Sequence, residues 1–155
     1  MMREEKVTRH IIKWLESSGW EIICYDFPQS GTGIMLHPDK GDAAAEKNKG
    51  GIIPDIVAVK GNIAVFVENK DKFVFSDFEK ILFLKTSNLY ARSLSNLLTG
   101  RGISVICYGI GMPMEPKSLQ KAMLHTEKID FLILVEDGGA VNIGFVSDSI
   151  ELEFN

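Results

Sequence analysis

Pro54 to Lys70 reads PDIVAVKGNIAVFVENK, and the charges at its open end, Asp55, Glu68 and Lys70, are the residues here whose types and spacing point most directly to chemistry. Gly61-Asn62 suits a two-residue hairpin turn with glycine first. With that turn Lys60 pairs with Ile63, and the same register sets Asp55 opposite Glu68. Opposed residues share a sheet face with Cβ atoms roughly 4.5–5.5 Å apart, so two carboxylates repel unless something positive lies between them. Lys70, two residues past Glu68, falls on that face by period-two alternation. Paired carboxylates are hard oxygen ligands suited to Mg²⁺ or Mn²⁺. Such an ion would lower the pKa of a bound water and balance charge on a phosphate, with Lys70 orienting or deprotonating the attacking water. A plain salt bridge at a sheet rim would use the same residue types. The hairpin is otherwise apolar on both faces except for Lys60 at the turn, which implies covering helices and favours the catalytic reading.

The elements that must position this hairpin follow from periodicity. Val7, Ile11, Ile12, Trp14 and Leu15 keep helical spacing, with Glu4 and Glu5 in the first turn and Gly19 as a stop, so the chain opens on a helix. WEIICYDF follows as a strand. Pro28 to Gly51, rich in Gly, Ser, Lys, Asp and Ala, reads as a long loop. The two hairpin strands are expected over Pro54 to Lys60 and Ile63 to Asn69. A helix is expected from Asp77 to Leu98, broken near Thr86 to Asn88 and capped by Asp77. Gly102 to Tyr108 reads as a buried strand, GIGMPMEP as a turn region and Lys117 to His125 as a short helix. Ile129 to Val135 and Val141 to Val146 read as the last strands. The order predicts one α/β domain over residues 1–155, a mixed sheet flanked by helices.

Pro54-Asp55, a gap, then Glu68-Asn69-Lys70 resembles the PD-(D/E)XK signature of the restriction-endonuclease-like nuclease superfamily, and the element order is similar to that family's αβββαβ core. The resemblance implies a metal-dependent DNA endonuclease that hydrolyses phosphodiesters, of restriction-enzyme type on double-stranded DNA. A Holliday-junction resolvase is the alternative within the family, and a catalytically silent binding member the alternative outside enzymes. It implies Asp55 and Glu68 as metal ligands, Lys70 as the catalytic lysine, and the Asn69 carbonyl as a further ligand to Mg²⁺, with Mn²⁺ substituting. Many members add an acid from the first helix; Glu5 is the first candidate here, Glu4 the second and Glu16 the third. DNA is the implied partner, with Ser30, Thr32, Lys47 and Lys49 of the long loop as candidate contacts. A chain this short implies two copies about a two-fold axis for a double-strand cut.

Composition fits that outline with one tension. The 155 residues suit one domain, and 45% hydrophobic with 25% charged residues excludes wholesale disorder. The formal net charge of -4 argues against a protein that coats DNA. Residues 38–101 carry ten Lys or Arg against eight Asp or Glu, so acidity concentrates in the C-terminal third. Cys24 and Cys107 sit in apolar runs and read as core thiols, not a disulfide or zinc framework. The charged N-terminus lacks a following apolar stretch, so a cytoplasmic protein is expected. His37-Pro38-Asp39 copies a co-chaperone tripeptide but lies between a glycine-rich loop and a strand, and reads as turn chemistry. Lys80, Lys85 and Arg92 read as a solvated helix face.

Overall fold

The computed structural model describes residues 2–39 and 50–155. Its elements run α1 (Glu4–Ser17), β1 (Glu21–Tyr25), β2 (Ile56–Lys60), β3 (Ile63–Asn69), α2 (Phe75–Ser87), α3 (Ala91–Leu97), β4 (Val105–Pro113), α4 (Pro116–Met123), β5 (Phe131–Val135) and β6 (Val141–Val146). The six strands lie in one sheet in sequence order, antiparallel from β1 to β3 and from β5 to β6, parallel from β3 to β5. This is the expected α/β architecture, a mixed sheet flanked by helices.

Two apolar layers explain why the hairpin is greasy on both sides. Val7, Ile11 and Leu15 of α1 are fully buried against Ile56, Ala58, Val65 and Val67. Phe78, Ile81 and Leu84 of α2 and Leu94 of α3 cover Val57, Val59, Ala64 and Phe66 on the other face. Each of these larger side chains contributes roughly 1.5–3 kcal/mol on leaving water. Cys24 and Cys107 are buried, one on each face, as expected of core thiols. Trp20 belongs to the core on the α1 side, where its indole N–H donates to the Phe154 carbonyl at 2.9 Å and draws the C-terminal segment onto the sheet.

The register is the predicted one: Lys60 pairs with Ile63 and Ile56 with Val67. Gly61 at φ 60° supplies the left-handed first turn position. The helix after the hairpin breaks at Asn88, left-handed at φ 55°, within the stretch expected to interrupt it.

Three expectations need correction. β4 runs on through Gly109–Pro113, because Gly109 to Gly111 pair with both β3 and β5 and Met112 and Pro113 continue the pairing with β5, which leaves no turn there. Asp77 does not cap α2: Val74 holds that position without a side-chain cap, and Asp77 lies in the first turn. Lys80 and Lys85 are not a solvated face. Lys80 pairs with Glu68 at 3.2 Å and Lys85 with the buried Asp130 at 2.8 Å. Asp39 accepts from the Arg92 N–H at 3.1 Å, a local use for the His37-Pro38-Asp39 stretch at the start of α3. No helix among the described residues is long and apolar enough to cross a membrane.

Candidate active site

Strand alternation assigns the hairpin charges to one side. Val57 and Val59 of β2 and Ala64 and Phe66 of β3 face α2, so Asp55 and Glu68, in step with them, belong to the same side. The ladder itself begins at Ile56, and Asp55 sits one residue outside it. There its Oδ2 accepts the Asn69 N–H at 2.7 Å, and its carbonyl accepts the Asp26 N–H at 2.9 Å from the end of β1. Glu68 is 7% exposed; its Oε1 accepts from Lys80 Nζ at 3.2 Å, while its Oε2 is buried with no hydrogen-bond partner.

Asn69 points the other way, as alternation requires. Its amide donates to Thr8 Oγ1 at 3.0 Å, and Thr8 donates to the Glu4 carbonyl at 3.1 Å, tying the first turn of α1 to the end of β3. Only the backbone of Asn69 therefore belongs to the carboxylate side. Lys70 follows, with its N–H on the Gly111 carbonyl at 2.9 Å.

The electrostatics show which other acids share this space. Burial, then the neighbouring Glu68, pushes Asp55 up to about 8. Burial also raises Glu68, against the pull of Lys80. Glu4 and Asp77 are raised by burial too, each opposed first by Lys70. Lys70 is drawn down by burial, but Asp77, Glu4, Glu68 and Asp55 together lift it above its ordinary value. It thus carries its proton at neutral pH. Asp77 is 8% exposed, and its Oδ2 has no partner.

The structure does not bring Glu5, the first candidate among the helix acids, to this cluster. Glu5 pairs with Arg9 at 3.1 Å, one turn along α1, with both side chains largely exposed. Glu16 lies in the last turn of the same helix, and exposed. Glu4, the second choice, is the acid that faces Lys70. Asp77 and Lys80 were missed as site residues. Their spacing of three on a helix directly after the hairpin puts both on one face, which was the available signal.

The loop residues divide. Thr32 Oγ1 donates to the Tyr25 carbonyl at 2.7 Å, and Ser30 Oγ accepts from the Thr32 N–H at 3.4 Å, so both hydroxyls close their own turn. That turn follows β1 at the rim where Asp55 lies. Lys47 and Lys49 lie outside the described residues.

The donor set suits a hard divalent cation: carboxylate oxygens of Asp55 and Glu68, the Asn69 backbone, and Glu4 and Asp77 nearby. An orphaned, buried Glu68 Oε2 is the kind of atom such an ion would satisfy. As the side chains stand, no three His, Cys, Asp or Glu among the described residues converge into a metal-holding group. Lys80 and the Asn69 N–H occupy one oxygen each of the two central carboxylates.

No protein-family model and no curated protein matches the sequence. Two solved structures share a similar arrangement. An XisH family protein from Nostoc punctiforme is 15% identical with a TM-score of 0.47, the alignment covering 88% of this chain and 96% of that one. An fdxN element excision controlling factor protein from Anabaena variabilis is 17% identical with a TM-score of 0.44, covering 89% and 96%. Likeness at that level assigns no activity to this chain.

Proposed function

We propose that the protein is a divalent-metal-dependent nuclease that hydrolyses DNA phosphodiester bonds. The observation that carries this reading is the convergence of Asp55 and Glu68 on one sheet face, the latter with an orphaned buried oxygen, beside a protonated Lys70. A buried acid, a half-buried one and a cation held beside them at a strand end cost stability, and such an arrangement is retained where chemistry uses it.

Asp55, Glu68 and the Asn69 carbonyl would hold Mg²⁺ or Mn²⁺, with Glu4 or Asp77 supplying a further oxygen. Bound there, the ion would add Lewis acidity and positive charge against the phosphate. Lys70, protonated while the surrounding acids are charged, is suited to meet a phosphate oxygen and balance the charge that develops on it. Lys80 holds Glu68 in place and would share or yield that carboxylate to a cation. Glu4 and Asp77 lie in the first turns of α1 and α2 and both act on Lys70, so both positive helix ends lie near this rim, which favours an anion.

The restriction-type reading adds a double-stranded substrate and a homodimer. Incubating linear duplex and a synthetic four-way junction with the protein, with and without Mg²⁺, tests the class. Metal-dependent cleavage lost in Asp55→Ala and Lys70→Ala, with both variants folded, is the expected result. Preference for the junction would select the resolvase reading. A second, silent reading draws on the absence of a ready three-acid group among the described residues; nucleic-acid binding with no cleavage under any divalent cation would select it.

A further inference from the structure

The outer face of α1 and the end of β1 form a groove of about 470 Å³ that the catalytic cluster does not use. One wall is basic: Lys6, Arg9 and Lys13 are exposed at helical spacing. The other is aromatic: Tyr25 and Phe27 stack at 5.8 Å and 27°. The Arg9 guanidinium lies 4.5 Å over the Phe27 ring, held by Nη2 on Glu5 at 3.1 Å. Lys6 and Arg9 also border the adjoining hollow with Arg3, where Glu5 and Asp137 set two acids among the three cations toward the end of α1 that carries Glu4. Glu16 is the acid at the far end.

Rings, a flat guanidinium and flanking ammonium groups in one groove match one ligand chemistry. Unstacked bases settle on aromatic and guanidinium planes while lysines follow the phosphates. Bases inside a duplex are already stacked and present only their edges, so a duplex could use the lysines but not the planes. We propose that this groove binds a single-stranded segment of DNA, with a base on the Arg9–Phe27–Tyr25 stack and phosphates on Lys6 and Lys13. Combined with the nuclease reading, on which this last step rests, the substrate is DNA carrying an overhang, fork or flap beside the scissile bond.

Binding of a fluorescein-labelled oligothymidylate and of a blunt duplex, followed by anisotropy in EDTA, isolates the groove from the metal site. The single strand should bind more tightly than the duplex. Arg9→Lys keeps the charge but loses the plane, and should cost the single strand about tenfold in affinity while sparing the duplex. Phe27→Ala should do the same, with circular dichroism confirming the fold. Lys6→Ala with Lys13→Ala should weaken both ligands and flatten the log–log salt dependence by about 0.7 per lost phosphate contact for the single strand and about 0.9 for the duplex. Equal or tighter duplex binding, or an unchanged Arg9→Lys protein, overturns the proposal. Cleavage with Mg²⁺ but no single-strand preference overturns the groove alone. Single-strand binding without metal-dependent cleavage supports the groove and removes the nuclease reading.

Discussion

At the scale of residues, the site depends on which acids face the ammonium of Lys70. Glu4 and Glu5 are neighbours in sequence, yet a helix turns about 100° per residue, so only one can face the sheet rim. Glu4 does, and Glu5 is taken by Arg9. Glu4→Gln and Asp77→Asn should therefore weaken Mg²⁺ or Mn²⁺ binding by about tenfold each, the scale of a lost supporting oxygen. Glu5→Gln should leave it unchanged, and isothermal titration with the metal alone reads both. Lys80 makes a second distinction. Lys80→Met strips Glu68 of its counter-charge in a buried setting and should destabilise the metal-free protein by about 1–3 kcal/mol. Added divalent cation should then recover more melting temperature in the variant than in the unmodified chain. Equal recovery in both would mean that lysine and cation do not share Glu68.

At the scale of elements, the close approach of α1 to the sheet places Glu4, and Gly111 permits it. Gly111 pairs with Asn69 across β3 and β4, and a Cβ there would run into the Asn69 side-chain oxygen and the tip of Ile11. Gly111→Ala should thus cost about 1–3 kcal/mol as overpacking and, by pushing Asn69 off Thr8, loosen the first turn of α1. Denaturant melts measure the first effect and metal affinity the second. The same glycine shows what the sequence could and could not tell. Register arithmetic from Gly61-Asn62 placed Asp55 and Glu68 together because a hairpin is local. GIGMP looked like a turn because its glycines, including Gly109 beneath the Phe131 ring, serve contacts with residues distant in the chain. The Lys80–Glu68 and Lys85–Asp130 pairs escaped for the same reason: each joins separate elements, and a lysine on a helix carries no local mark of its partner.

At the scale of the whole molecule, the acid cluster makes stability depend on pH in a direction opposite to that of ordinary surface carboxylates. Asp55 is raised in the folded protein from 3.8 to about 8, and Glu68, Glu4 and Asp77 move upward as well. A raised folded-state value means that the native chain holds protons that the unfolded chain releases. The favourable contribution of Asp55 is then complete below its ordinary value and is lost as pH climbs through about 8. Lys70, also raised, loses its contribution only above its ordinary 10.5 and does not enter this window. In EDTA the melting temperature should fall steadily between mildly acid and mildly alkaline pH. Asp55→Asn, which cannot ionise, should flatten that slope. A divalent cation competes with the same protons, so its binding should tighten and its stabilising effect grow as pH rises over the same interval. Melting curves across pH, with EDTA and with Mg²⁺, should therefore diverge toward alkaline pH. Parallel curves would show that the cation does not bind where the protons are held.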